Sequence, residues 1–248
     1  MSGVKGALRA PRSGRRPLTP DIRGASGCIR LPVRRAKRAA IFVSSLFSLL
    51  FAFEGRPASP DAQAVLASVR KAYASSPSVT CTFVQTYAPA GFAETAPETG
   101  RLILQAPDRV RFDYDGPEGK VFTFDGKAGR QLVAADRQLV VRTLTPAEIA
   151  RLPLVFLEST ESLLARYTAR PVARDAGLTE LTLTPRAGGD PKSVTLLATA
   201  SGEVKRLILV DAAGNRTTFT FTQKMPGPKR PSSDFALVPP EGTKILSE

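Results

Sequence analysis

GRLILQAPDRVRFDY, residues 100–114, is the stretch on which the fold turns. Leu102 and Leu104 sit between Arg101 and Gln105. Val110, Phe112 and Tyr114 alternate with Arg109, Arg111 and Asp113. A period of two is the mark of a half-buried strand, because successive side chains point to opposite faces. The same period runs upstream, where Val79, Cys81 and Phe83 alternate with Thr80 and Thr82. It also runs downstream, through the apolar run 121–124 before the Asp125-Gly126 turn, and through Leu132-Val133 and Leu139-Val140-Val141 on either side of a polar Ala135-Asp136-Arg137. These pieces predict a meander of short antiparallel strands.

A helix is expected before the meander. Ser59-Pro60-Asp61 reads as an N-cap Ser, a Pro at the first helical position and an acid near the positive end of the helix dipole. Val65, Leu66, Val69 and Tyr73 then share one face, and Ser75-Ser76-Pro77 ends the helix. Helices interrupt the strands again after residue 144. Thr145-Pro146-Ala147-Glu148 has capping-box spacing. Leu152-Pro153-Leu154-Val155-Phe156-Leu157 is a dense apolar patch broken by Pro, and residues 158–164 offer a further helix start. Strands resume over 167–173, 178–184, 193–198, 204–210 and 216–223. A Pro- and Gly-rich loop is expected over 225–233, and a last short strand at Phe235 and Leu237. Roughly ten strands at this spacing predict an α+β, mainly β fold: a single antiparallel sheet that curls, with covering helices.

The chain of 248 residues carries a formal charge of +13, which at first suggests a nucleic-acid binder. The charge is not spread evenly. Residues 1–38 hold eleven Lys and Arg against Asp21 alone, leaving 24 basic and 21 acidic residues in the other 210. The body lacks the basic face that draws phosphates, so no nucleic-acid partner is expected. The basic residues of 29–38 lead instead into an uncharged apolar run, 39–53. It is long enough for a signal-peptide core and short for a membrane-spanning helix. We expect residues 1–58 to be a leader cleaved between Gly55 and Ala64, with an uncleaved membrane anchor as the alternative, and residues 59–248 to form the working domain. Cys28 precedes the apolar run and so does not mark a lipoprotein-processing site. Without the leader Cys81 has no disulfide partner and reads as a buried structural thiol.

The chain has no histidine. That removes a His general base, Ser-His-Asp and Cys-His arrangements, and His-containing zinc sites. Acids are scattered, and no phosphate-binding Gly-rich loop is present. Asp125-Gly126 and residues 211–215 are turns rather than metal ligands. The residues therefore predict no enzyme, no catalytic residue, no metal and no cofactor.

Several motifs stand in a familiar order. The expected first helix leads into Val79-Thr80-Cys81-Thr82-Phe83-Val84-Gln85. The strand pair 100–114 follows, then Val121 to the Asp125-Gly126-Lys127 turn. The apolar patch 152–157 lies in the middle of the chain. Asp211 to Asn215 precedes Thr218-Phe219, and Phe235-Ala236-Leu237-Val238-Pro239-Pro240-Glu241-Gly242 closes the chain. From about residue 60 to 246 this order resembles the outer-membrane lipoprotein carrier (LolA) family. The resemblance implies an incomplete β-barrel whose open side is covered by helices, and a periplasmic, monomeric protein. It implies an apolar concave face that takes the acyl chains of lipoproteins from an inner-membrane lipoprotein-release complex to an outer-membrane acceptor. The alternative is a lipid-binding or envelope-stress-sensing module of the same fold, anchored by its leader. The implied lipid-binding residues are Leu102, Leu104, Val110, Phe112, Tyr114, Phe122 and Phe124 on strands, and Leu154, Val155 and Phe156 on the cover. The resemblance departs at Ala106, where well-studied members carry an Arg that holds the cover shut. Arg109 and Arg111 are the nearby candidates to replace it.

Overall fold

The computed structural model describes residues 60–247; the expected leader and its cleavage region up to residue 59 lie outside the described residues. The first helix, α1 (Ala62–Ala74), is capped by Asp61 rather than Ser59. The Asp61 carboxylate accepts from the backbone N–H of Gln63 and Ala64, both at 3.2 Å, so it neutralises two of the helix's free donors at once. Leu66, Val69 and Tyr73 form its buried face, at the spacing of three and four that puts side chains on one side of a helix.

Twelve strands follow among the described residues, against the roughly ten that the sequence predicts. They are β1 (Ser78–Ala88), β2 (Glu98–Gln105), β3 (Arg109–Tyr114), β4 (Lys120–Phe124), β5 (Ala128–Val133), β6 (Gln138–Thr143), β7 (Tyr167–Ala173), β8 (Leu178–Pro185), β9 (Ser193–Thr199), β10 (Val204–Val210), β11 (Arg216–Gly227) and β12 (Lys244–Ser247). They make one open sheet in the order β12-β6-β5-β4-β3-β2-β1-β11-β10-β9-β8-β7. Every pairing is antiparallel except β12 with β6, which is parallel. The last strand is therefore Lys244–Ser247. Phe235 instead lies in a short helix, α4 (Ser233–Ala236), and β11 runs on through Met225 and Pro226 to Gly227 where a loop is expected. The register of β11 on β1 shifts between Thr80 and Thr82, and this irregularity lets the strand carry a Pro and a Gly at its end.

The register explains why one face is the core. Cys81 pairs with Leu102, Leu102 with Phe112 and Phe112 with Phe122; Val79, Leu104, Val110 and Phe124 form the next row. On the other side of β1, Phe83 pairs with Phe221, Phe219 with Leu207, Leu207 with Leu196 and Leu196 with Leu181. The face is strongly concave. Phe112 on β3 and Phe219 on β11 are three strands apart, about 14 Å in a flat sheet, yet their ring centroids lie 5.6 Å apart. Phe83 lies between them, edge-on to Phe112 at 5.5 Å and to Phe219 at 5.9 Å. It has room because its partner is Gly100, where a Cβ would stand 2.8 Å from the Phe83 ring.

α1 lies across this concave face. Tyr73 is buried, and its hydroxyl accepts from the backbone N–H of Val204 at 3.2 Å and reaches the Val204 carbonyl at 3.5 Å. Tyr73→Phe leaves that buried N–H without a partner, which costs about 1–3 kcal/mol. Urea unfolding is expected to show a lower midpoint with an unchanged slope. An unchanged midpoint would mean that the hydroxyl contributes nothing.

The convex face is covered over part of the sheet. Phe235 is fully buried, and Leu237 joins Leu132 and Leu139 in a second, smaller core. Gln105 fastens the segment before them: its side-chain carbonyl accepts from the backbone N–H of Arg230 at 2.6 Å.

Candidate functional site

The segment after β6 crosses the concave face and is built as the sequence predicts. Thr145 caps α2 (Pro146–Ala150). Its hydroxyl accepts from the Glu148 N–H at 3.3 Å, and the Glu148 carboxylate accepts from the Thr145 N–H at 2.9 Å. Arg142 pairs with the same carboxylate at 2.5 Å. The bond from the Thr145 backbone, with help from its hydroxyl and from Arg142, holds the Glu148 carboxyl down at about 2. A 3-10 turn (Pro153–Phe156) follows, then α3 (Thr160–Arg166), capped by Ser159, whose hydroxyl accepts from the Ser162 N–H at 3.2 Å.

This segment forms no strand; the Arg186 backbone N–H ties its end by donating to the Arg166 carbonyl at 2.9 Å, and the other contacts to the rest of the protein are largely through side chains. Phe156 is fully buried, with Tyr73 at 4.9 Å and Phe221 at 5.8 Å between ring centroids. Leu157 and Leu163 are buried beside it. Arg151, at the end of α2, forms an ion pair with Asp190 in the β8–β9 turn. Glu158 is bonded by the Ser162 hydroxyl at 2.9 Å and paired with Arg166.

Beneath the segment is a cavity of about 360 Å³, within the size range of small-molecule sites. Its walls are mostly apolar: Ile149, Leu152, Leu154, Val155, Leu163 and Val194, with Glu158, Arg166 and Asp108 among the polar groups that border it. The ten residues singled out from the sequence all share the concave side. Leu154 and Val155 border the cavity. Leu102, Leu104, Val110, Phe112, Phe124 and Phe156 are buried in the core, and Tyr114 and Phe122 are half-buried against it. The Tyr114 hydroxyl donates to Gln85 at 2.7 Å, and the Lys120 ammonium sits 3.9 Å above the ring.

Sequence reasoning missed Ile149, Leu163 and Val194 as cavity walls. The signal was present in the helix start at 158–164 and in the alternation of 193–198. Neither pattern says which strand the covering segment will cross. Arg109 and Arg111 do not replace an Arg at position 106. They point to the convex side, where Arg109 donates to the Ser232 hydroxyl at 3.1 Å and Arg111 to the Asp234 carbonyl at 2.7 Å.

Cys81 is buried on the concave side, as expected, and burial pushes its thiol up to about 12. A raised thiol pKa means that folding favours the neutral form. Its contribution to stability is complete below the ordinary value of 9 and is lost as pH rises toward 12. Burial raises Tyr73 and Tyr114 in the same direction. Urea stability is expected to fall with pH above about 9, less steeply in Cys81→Ala. At neutral pH the thiol should resist alkylation in Cys28→Ser protein until the core opens; prompt labelling would contradict the burial.

Comparison with known proteins finds a family and several relatives that this chain is similar to. Residues 74–237 match the sequence model of the family described as "Outer membrane lipoprotein carrier protein LolA". An outer-membrane lipoprotein carrier protein of Chromobacterium violaceum is 24% identical over 190 residues, covering 77% of this chain and 91% of that one. One from Methylobacillus flagellatus is 28% identical over 149 residues, covering 60% and 72%. Among solved structures, a LolA superfamily protein from Nitrosomonas europaea aligns with 71% of this chain and 97% of its own, at 14% identity and a TM-score of 0.41.

Proposed function

The chain belongs to the outer membrane lipoprotein carrier protein LolA family. From that premise we propose that it receives the acyl chains of a lipoprotein beneath the 145–166 segment and carries them from the inner to the outer membrane. Its location is the periplasm. The observation that carries the proposal is an apolar cavity of about 360 Å³ roofed by a segment that forms no strand of the sheet.

The energetics define the task. A roughly 16-carbon chain left in water costs on the order of 12 kcal/mol, at about 0.8 kcal/mol per methylene. A carrier must shelter that surface and then release it. A closed core would do the first and prevent the second. Here the cover brings its own apolar side chains, and Phe156 stands among the rings of Tyr73 and Phe221 in the free protein. When the cover swings out, the acyl chain takes the place of Phe156 against Tyr73 and Phe221. The cycle is one of binding and release, with no covalent step. An inner-membrane release complex loads the carrier and an outer-membrane acceptor empties it. Residues 59–248 do this work, and residues 1–58 direct export and are removed.

The test is native mass spectrometry with lipid extraction on protein purified from an envelope fraction. Co-purifying acyl lipid or acylated lipoprotein is the expected result. A bare protein mass, together with no uptake of a fluorescent fatty acid, would sink the proposal.

A further inference from the structure

A second cavity, of about 280 Å³, opens beside the first. Its floor is mixed, with Leu209, Phe219 and Tyr87 around Thr217, and its rim carries Arg151, Asp211 and Asn215. The two cavities share one sheet face. Val194 borders the first and Leu209 the second, and these two residues are direct partners across β9 and β10. Consecutive residues of the covering segment border the two cavities in turn. Ala150 and Leu152 line the first cavity, and Arg151 between them lines the second. Arg151 is held across the gap by Asp190, whose carboxylate it meets with both Nε, at 3.3 Å, and Nη2.

We propose that the two cavities are halves of one acyl-binding groove, and that the Arg151–Asp190 pair is the partition that closes it. The inference rests on the carrier reading above. When the pair parts, the α2 end of the cover lifts, and one floor runs from Val194 through Leu209 to Thr217 and Phe219 on β11. A short acyl chain fits in the first half with the partition in place. A long chain needs both halves and must part the ion pair to enter. The partition therefore makes chain length costly in a way that plain apolar burial does not. Both partners are partly exposed, 40% and 25% at the side chain, so the pair is weak enough to yield to a ligand.

The test compares octanoyl and palmitoyl fluorescent amphiphiles on the whole protein. Arg151→Ala and Asp190→Ala are each expected to tighten palmitoyl binding about fivefold, the scale of one partly exposed ion pair, and to leave octanoyl binding unchanged. The double reversal R151D/D190R restores the pair and is expected to return palmitoyl binding toward the wild type. Unchanged octanoyl binding also shows that the single variants are folded. Equal effects on both chain lengths, or none on either, would overturn the partition while leaving the carrier reading intact. Uptake of neither amphiphile by any of the proteins would overturn both.

Discussion

Phe156→Ala is expected to loosen the cover and tighten acyl binding in the same protein. Removing a fully buried Phe costs about 3–5 kcal/mol. Here the loss falls first on the 145–166 segment, which pairs with no strand, so local opening precedes global unfolding. Amide hydrogen exchange in that segment should accelerate by orders of magnitude while exchange in β1, β2 and β11 changes less. The vacated space between Tyr73 and Phe221 should take up a fluorescent fatty acid more tightly than the wild type does. Loss of stability spread evenly over the sheet, with no gain in uptake, would identify Phe156 as ordinary core and count against a displaceable cover.

The second large effect is expected at the β9–β10 turn. Gly202 has φ +82°, and a Cβ there would lie 2.0 Å from the Ser68 carbonyl oxygen of α1. Both terms oppose any side chain. The left-handed conformation costs an L-residue about 1–2 kcal/mol, and a collision with backbone cannot be relieved by a rotamer change, adding about 1–3 kcal/mol. Gly202→Val should therefore lower stability by several kcal/mol and push α1 off the sheet. Gly214→Ala is the control: φ is also positive, at +89°, but its Cβ would meet only the Ala90 methyl at 3.5 Å. Thermal unfolding should separate the two by more than 1 kcal/mol. Equal destabilisation would show that α1 does not sit tightly on the turn.

Much of this architecture is legible in the residue order, and the failures have physical causes. β3 and the strands from β7 to β10 announce themselves because one face is more buried than the other, so the alternation is written in the side chains, whereas β2 is buried on both faces from Leu102 to Gln105. Thr145 and Glu148 reveal their cap because the motif is local. The end of β11 is hidden because Met225-Pro226-Gly227 has the composition of a loop, and only its pairing with Ser78, Val79 and Thr80 makes it a strand. β12 is hidden for a related reason. Its partner, β6, is more than a hundred residues away and parallel, and its four residues carry no alternation of their own. At the site, the apolar patch 152–157 is conspicuous, and so are its partners on β2 to β4. Arg151 and Asp190 are not, because nothing in two isolated charges says that a fold will bring them together.

The place of β1 in the sheet has a kinetic consequence. β2 to β6 follow it in sequence and pair with near neighbours, and β7 to β11 do likewise among themselves. The two meanders join at one seam, β1 against β11, where Phe83 meets Phe221. Each meander closes short loops, whereas the seam closes a loop of well over a hundred residues and bears the largest entropy loss of any pairing. The halves should therefore form early and the seam late. Until then the rings of Phe83, Phe219 and Phe221 stay uncovered. A protein proposed to shelter apolar surface thus passes through a stage in which the rings of its own central strands are the surface in need of shelter.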